Sequence, residues 1–477
     1  MPCMSTDPHS WGVKREAGGS RLYRTLRGAI RGALRVFYRT VEVTGRENLG
    51  PKRGTILAST HPNSIVDPLL LGILEERQVT FCARDGLFKI PVFGALLRSV
   101  GAIPIARPED KAAPAAGNGG PEKKADNSKA FEAARAVLAQ GGVISIFPEG
   151  KTHDNLKVHR LRTGAARIAL DAEAASGWNA GVGIVPVALN YLVRQAFRSD
   201  VHVAFGAPIP VVELRARFEE DPKAAARELT DRIELALREM AVHVDHVEDE
   251  RIIAQVTSIV VDIRREAGLD QGGQTPSERT ALVRRIVDAY RWYQEVEPEK
   301  TAELRRRLQR FLEERADLGL GGDSAALQHR SESQHRFTAR RNFLVFGFPV
   351  AMYGIANSIA PYLLLRVVLA VARQRKDRMA LTKILGGALS FLGAWTAQSL
   401  VLGSLVGPWW ALLYALTLPP TALIALRWVT EARLHRLSRG GIKAIVRHGD
   451  RIDELQRERE ALKGELATLR DRYLAKP

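Results

Sequence analysis

Two long stretches without a charged residue constrain this chain more than any other feature. They cover Asn342–Leu365 and Ile384–Leu426, and the second is long enough for two helices divided at Gly407–Trp410. A helix needs about 20 apolar residues to cross a bilayer. We therefore expect a transmembrane region over residues 341–437, with buried helices of a water-soluble core as the alternative. The candidate spans are Phe343–Leu365, Ile384–Val406 and Trp409–Leu426.

The charges around these stretches predict their orientation. Arg340 and Arg341 precede the first stretch, the linker Arg366–Lys383 is strongly basic, and "RWVTEARLHRLSR" follows the last one. Basic residues favour the cytoplasmic side of a membrane. In addition, the first charges are not followed by the uninterrupted apolar segment that a signal peptide contains. We expect a multi-pass protein of the cytoplasmic (inner) membrane whose N-terminal part faces the cytoplasm, while the number and topology of the spans stay open.

The overall charge indicates an anionic partner. The 477 residues carry a net charge of +17, which suits nucleic acid, an anionic membrane surface or phosphorylated substrates. The sequence has no zinc-ligand spacing, no homeodomain or RNA-binding signature and no aromatic residues interleaved with basic ones. We therefore expect no nucleic-acid partner. The two cysteines, Cys3 and Cys82, predict no disulfide framework and no metal cluster.

A basic amphipathic helix is predicted near the N-terminus, within residues 1–45. Six arginines share the segment Arg21–Thr40 with an apolar face. This composition is typical of a helix that lies at a lipid headgroup interface, although packing on its own domain would also accommodate it. The residues of the apolar face are Leu22, Leu26, Ala29, Ile30, Ala33, Leu34 and Phe37.

Residues 46–212 alternate strand-like and helix-like segments. Buried-strand runs such as "GTILAST" and "GGVISIFPEG" are separated by helical stretches such as "KAFEAARAVLAQ". This alternation predicts an α/β sandwich around a mostly parallel sheet. The polar, Pro/Gly/Ala-rich insertion from Arg107 to Lys129 should be mobile. Residues 213–340 are charged and predicted helical, and residues 438–477 predict a surface helix or a short coiled coil.

His61 and Asp67 lie in "STHPNSIVDPLLLG", directly after an apolar strand-like run. A histidine can remove a proton from a hydroxyl near neutral pH. A carboxylate on its other nitrogen fixes the tautomer and stabilises the imidazolium. Alone, the pair is weak evidence, because most such pairs are structural.

Further blocks accompany this pair in order: "ARDGLFKIPVFGALLRSVGAIPIAR", "FPEGKTHD", "LRTGAARIAL" and "VPVALNY". Together, from about Val36 to Pro210, they resemble the glycerol-phosphate acyltransferase superfamily. The resemblance implies an acyltransferase-type αβα sandwich in which His61 is the general base and Asp67 its partner. It also implies that Arg107 and Glu149 bind the glycerol-phosphate acceptor and that Gly150 permits close backbone approach. Lys151 adds charge near the phosphate or is a solvated loop lysine.

The sequence departs from the usual pattern of this superfamily at two points. Five residues separate His61 from Asp67 instead of four, so the acid has to reach the imidazole by a different loop path. "FPEG" is followed by "KTHD" instead of the frequent Thr-Arg-Ser. Both departures resemble a subgroup that acylates glycerol 3-phosphate or dihydroxyacetone phosphate and carries C-terminal hydrophobic spans.

The expected reaction is therefore transfer of an acyl group from acyl-CoA or acyl-ACP, as co-substrate, to a glycerol-phosphate hydroxyl. The expected partners are the acceptor, the thioester donor and a lipid bilayer, with no metal or other cofactor. A metal held by His153, Asp154 and His159 is disfavoured, because Lys151 would lie among the ligands. Acylation of lysophosphatidate or another lysolipid is the alternative, followed by a catalytically dead lipid-binding protein. The oligomeric state stays open.

Overall fold

The computed structural model describes residues 20–50, 53–89, 91–106, 127–153, 155–191, 197–266, 268, 274–317, 341–371, 379–447 and 449–476. It divides into two compact units. The first extends to Val247 and includes Gln274–Arg284. The second contains Glu248–Gly273 and nearly all of the chain from Arg285 onward.

The first unit is built on an eight-stranded sheet in the order β1-β7-β6-β2-β5-β3-β4, with β8 paired to β6. All pairings are parallel except those of β6 with β7 and with β8. The expected mostly parallel α/β sheet is confirmed. The strands are Tyr38–Thr44 (β1), Thr55–Ser59 (β2), Val79–Arg84 (β3), Ile103–Ile105 (β4), Val143–Ile146 (β5), Gly183–Tyr191 (β6), Ser199–Phe205 (β7) and Ile209–Pro210 (β8).

Helices cover both faces of this sheet. All five residues of the central strand β2 are buried, as expected for a strand covered on both sides. Ile56 and Ala58 join a core formed with helices α5, α6 and α8, and the alternating residue Leu57 points to the opposite face. The helices are Arg21–Phe37 (α1), Val66–Leu74 (α2), Asp85–Phe88 (α3), Pro91–Ser99 (α4), Ser128–Ala139 (α5), Gly164–Ala175 (α6), Arg215–Glu220 (α7) and Pro222–Met240 (α8).

Helix α1 packs beside helix α2 and binds its C-terminal end. The Arg27 guanidinium is buried and donates to the backbone carbonyls of Ile73, Glu75 and Glu76. Arg31 donates to the Ile73 carbonyl at 3.1 Å. The last carbonyls of a helix lack partners within the helix and carry partial negative charge. The guanidinium groups satisfy these carbonyls and fix the end of α2.

Strand β3 was missed from the sequence. Its residues, Val79–Arg84, contain Cys82 and end on a charge, so they give neither a long apolar run nor a clean alternation. The insertion predicted to be mobile lies almost entirely outside the described residues, which resume at Asn127.

The second unit contains a helical cluster. The C-terminal helix contributes Leu455, Leu462 and Leu466, which pack with residues of α9 and α11. Arg307 joins this packing through ion pairs with Glu458 and Glu465. The helices after α8 are Glu250–Glu266 (α9), Pro276–Val296 (α10), Pro298–Asp317 (α11), Phe348–Val371 (α12), Met379–Val406 (α13), Pro408–Arg447 (α14) and Gly449–Leu474 (α15).

Three helices of the second unit are long and apolar enough to cross a membrane. Their candidate spans are Phe348–Val367, Gly386–Val406 and Pro408–Ala432, close to the stretches expected from the sequence. Polar groups on the three spans are hydrogen-bonded to one another. The Tyr414 hydroxyl donates to Asn357 Oδ1 at 2.5 Å, and Gln398 Nε2 donates to the Asn357 carbonyl at 3.3 Å. Such bonds hold helices together where lipid offers no alternative partner.

Candidate active site

His61 follows the carboxyl end of strand β2, and a short turn brings the chain into helix α2. Its Nδ1 lies 2.9 Å from Asp67 Oδ2. The turn contains Ser64 with φ of 45°, a left-handed conformation that is uncommon outside glycine. Asp67 stands in the first turn of α2. His61 and Asp67 therefore meet through a turn in which the chain reverses at Ser64. This turn is the different loop path that the fifth intervening residue was expected to require.

Asp67 is completely buried and accepts two further hydrogen bonds. The backbone N–H of Asn63 donates to Oδ2 at 2.7 Å, and the Tyr191 hydroxyl donates to Oδ1 at 2.6 Å. Buried carboxylates are costly unless their oxygens are paired in this way. Because a carboxylate only accepts, His61 Nδ1 carries the proton. In its neutral form the ring then has a lone pair on Nε2.

Tyr191 and Tyr38 form the buried wall behind this pair, and the sequence analysis assigned no role to either. Tyr191 ends strand β6, the neighbour of β2, while the Tyr38 hydroxyl accepts from Asn63 Nδ2 at 3.1 Å. Burial, and then the charge of Asp67, raise the pKa of Tyr38, so this phenol stays neutral. The only sequence signal was that Tyr191 closes the block "VPVALNY".

Strand β5 lies next to β2 and supplies the other wall of the site. The Phe147 ring stacks on the His61 ring, with centroids 4.0 Å apart. Glu149 is mostly buried, and its Oε1 accepts the His61 backbone N–H at 3.3 Å. Carboxyl ends of neighbouring parallel strands meet at one edge of a sheet, where ligands commonly bind. The structure thus brings Glu149 to the histidine loop.

Gly150 has a left-handed backbone conformation that residues with a side chain rarely adopt. Its φ is 73°, and a Cβ at this position would lie 2.7 Å from Arg162 Nε. The Arg162 backbone N–H donates to the Pro148 carbonyl at 2.8 Å, so the two loops run close together. The sequence analysis gave Arg162 no role, although it lies in the block "LRTGAARIAL". Lys151, the next residue after Gly150, has an exposed side chain.

Arg107 lies outside the described residues. The last described residue before it, Ala106, follows the carboxyl end of β4. The Asn127 side chain holds both backbone groups of Ala106, accepting from its N–H at 2.9 Å and donating to its carbonyl at 3.0 Å. The described chain therefore ends, at Ala106, beside the carboxyl edge of the sheet.

Two stacked histidines adjoin Glu149. The rings of His153 and His159 are 3.5 Å apart, and His153 Nε2 is 3.9 Å from Glu149 Oε2. Burial, followed by the neighbouring His159, lowers the pKa of His153 to about 4. His153 is thus neutral near pH 7. Among the described residues, no three or more His, Cys, Asp or Glu side chains are grouped to hold a metal ion, and Asp154 falls outside them.

The part of the chain that carries this site is similar to known proteins. Residues 40–190 match the Acyltransferase family model. The match contains His61, Asp67 and Glu149, and it confirms the resemblance to the glycerol-phosphate acyltransferase superfamily.

Two curated relatives come from Saccharomyces cerevisiae. Glycerol-3-phosphate O-acyltransferase 1 is 25% identical over 437 residues, covering 72% of this chain and 54% of its own. Glycerol-3-phosphate O-acyltransferase 2 is 32% identical over 112 residues, covering 23% and 15%. The chain thus spans about half the length of the first relative and far less of the second.

Among solved structures, the crystal structure of the 1-acyl-sn-glycerophosphate acyltransferase PlsC from Thermotoga maritima is similar. It is 21% identical, covers 43% of this chain and 80% of its own, and has a TM-score of 0.28.

Proposed function

We propose that this protein transfers a fatty acyl group from an acyl thioester to a hydroxyl of glycerol 3-phosphate or dihydroxyacetone phosphate. The observation that carries the proposal is the His61–Asp67 pair, with its buried and fully bonded acid, inside an acyltransferase domain. The printed names of the two yeast relatives support the acceptor.

In the proposed reaction, His61 Nε2 takes the proton of the acceptor hydroxyl, and the oxygen attacks the thioester carbonyl carbon. The buried carboxylate of Asp67 stabilises the imidazolium that forms. Collapse of the tetrahedral intermediate breaks the carbon–sulfur bond, and the imidazolium returns its proton to the leaving thiolate. The products are an ester and a free thiol on coenzyme A or acyl carrier protein. The proposal needs no other cofactor.

We assign the acceptor to the loops around Glu149 and Gly150. The Glu149 carboxylate already touches the His61 loop, so a second glycerol hydroxyl bound there would lie near Nε2. Gly150 allows the phosphate to approach the backbone, and Arg162, Lys151 and Arg107 supply positive charge. Guanidinium groups suit phosphate because they bond it with two parallel donors.

The three apolar helices support a membrane protein, and we propose that it is a multi-pass protein of the cytoplasmic membrane with its acyltransferase domain facing the cytoplasm. This placement fits the proposed reaction, because its product is a lipid and its acyl donor partitions into bilayers.

An acceptor-resolved assay tests the proposal. The full chain, purified into nanodiscs, receives one labelled acyl thioester and glycerol 3-phosphate, dihydroxyacetone phosphate or lysophosphatidate at matched concentrations. We expect the highest kcat/KM with one of the first two acceptors. A preference for lysophosphatidate would overturn the acceptor assignment, and no thioester consumption with any acceptor would overturn the activity itself.

A further inference from the structure

The surface of helix α1 has three faces: one buried, one apolar and one rich in arginine. The buried face carries Tyr23, Arg27, Leu34 and Phe37, which pack within the first unit. Two of these, Leu34 and Phe37, belong to the apolar face expected from the sequence, so packing uses only one side of that face. Of the other residues of that face, Leu22 and Ala29 are exposed, and Leu26, Ile30 and Ala33 are half-buried.

Four of these other residues form a continuous stripe together with Val36, and we call it the apolar stripe. Their spacing of four, three, four and three positions places them on one side of a helix with 3.6 residues per turn. Leu22 and Val36 are each 50% exposed, and Ala29 is exposed as well. The apolar stripe consists of Leu22, Leu26, Ala29, Ala33 and Val36.

An exposed aromatic side chain lies at the C-terminal end of the helix. The Phe197 side chain is 42% exposed, and its ring lies 5.7 Å from that of Phe37, the last residue of α1. This exposed ring adds to the apolar surface near the end of α1 that water solvates poorly.

Positive charge flanks the stripe on the side away from the buried face. Arg21, Arg24 and Arg35 are all exposed there, and α1 contains no acidic residue. We call these three residues the arginine flank. Apolar side chains beside a row of arginines match the boundary between acyl chains and phosphate headgroups. A protein partner would have to combine an apolar groove with an acidic rim, whereas an anionic bilayer offers both features everywhere.

We propose that the exposed side of helix α1 lies on an anionic phospholipid surface, with the apolar stripe among the acyl chains and the arginine flank at the phosphates. This contact is additional to the three candidate spans, and it does not depend on the proposed acyl transfer. Because Arg27 and Arg31 join α1 to the end of α2, the lipid-bound helix also holds the helix that carries Asp67.

The test uses two neighbouring labels on the full chain in nanodiscs. Ala29→Cys places a spin label on the stripe, and Gly28→Cys places one about 100° away, on the arginine side. A Cβ at Gly28 would have no neighbour within 4 Å, so this control fits without strain. Both are made with Cys3 and Cys82 replaced by serine. Accessibility to oxygen and to an aqueous nickel complex reports the depth of each label.

In discs containing anionic lipid we expect the Ala29 label about 5–10 Å below the phosphates and the Gly28 label in water. Leu22→Cys, a second stripe position, should repeat the Ala29 result. Replacing Arg21, Arg24 and Arg35 by glutamine should lower the docked population by about fivefold per arginine. Equal water exposure of the stripe and control labels would overturn the proposal, as would equal immersion of both. Depth independent of lipid charge and of the glutamine changes would overturn the role of the arginine flank. Because no substrate is present, these outcomes leave the acyl-transfer proposal untouched.

Discussion

The two ends of helix α2 are held by opposite chemistry. At the N-terminal end, a buried carboxylate accepts hydrogen bonds from the Asn63 backbone, the Tyr191 hydroxyl and the His61 ring. At the C-terminal end, the guanidinium groups of Arg27, which is buried, and Arg31 donate to backbone carbonyls. Both arrangements agree with the helix dipole, which favours anions at the first turn and cations at the last.

The comparison teaches that burial of charge serves two purposes within nine residues. The acid at the first turn faces a histidine that is partly open to substrate. Its carboxylate can therefore stabilise positive charge that develops on the histidine during a reaction. The arginines at the last turn donate to backbone carbonyls, so their role is to fix the helix that presents the acid. Changes at the first end should therefore alter turnover, and changes at the second should alter stability.

The largest expected effect is at the N-terminal end. Asp67→Asn keeps the size of the side chain but removes the charge that stabilises the imidazolium. We expect turnover at least about 100-fold lower, within the 10²–10⁴ range typical of general-base catalysis. Steady-state acyl transfer with the full chain in nanodiscs measures it. Asp200→Asn is the matched control, because Asp200 is also a buried acid but pairs with Arg39. Comparable losses in both variants would mean that the Asp67 effect is not specific to His61.

Arg27→Met breaks the other end of α2. It leaves the Glu75 and Glu76 carbonyls without this donor, at a cost of about 2–3 kcal/mol for a buried charged hydrogen-bonding group. We expect the opening free energy of the α2 amides, from hydrogen exchange, to fall by about this amount. Turnover per folded molecule should change by less than about threefold.

The exposed residue Arg24 provides the control on the same helix, and Arg24→Met should leave the exchange of the α2 amides within about 0.5 kcal/mol of the wild type. A loss of turnover in Arg27→Met as large as that in Asp67→Asn would contradict the separate roles of the two ends of α2.

A smaller effect should separate the two tyrosines behind the acid. Tyr191→Phe removes a donor to Asp67 Oδ1, which we expect to lower turnover by up to about tenfold, since a hydrogen bond to a charged group contributes about 1.5 kcal/mol. Tyr38→Phe removes a hydroxyl that bonds Asn63 instead, and should cost less. Parallel pH–rate profiles measure both. The reverse order would show that the carboxylate does not depend on Tyr191.

Much of this arrangement could be predicted from the sequence, because it depends on residues that lie close together in the chain. The proximity of His61 and Asp67 followed from their block, and the mostly parallel sheet followed from alternating runs. Tyr191 could not be predicted, because it lies 124 positions from Asp67 and only the pairing of β6 with β2 brings them together.

The arginines of α1 show a second limit. In sequence they fill the polar side of an amphipathic helix, and that pattern alone favours a solvated or lipid-facing position for all of them. The structure uses Arg27 and Arg31 as caps for a helix more than 40 residues away, and leaves Arg21, Arg24 and Arg35 exposed. Which arginines face inward depends on where the end of α2 lies, which no local pattern specifies.

The most direct test of the account concerns His61 as the base. Single-turnover acyl transfer to glycerol 3-phosphate is measured for the wild-type chain and for His61→Ala in nanodiscs, with hydrogen exchange of the α2 amides as the check on folding. We expect ester formation to slow by at least about 100-fold while the amides keep their protection. Ester formation at the wild-type rate by a folded His61→Ala protein would contradict the account.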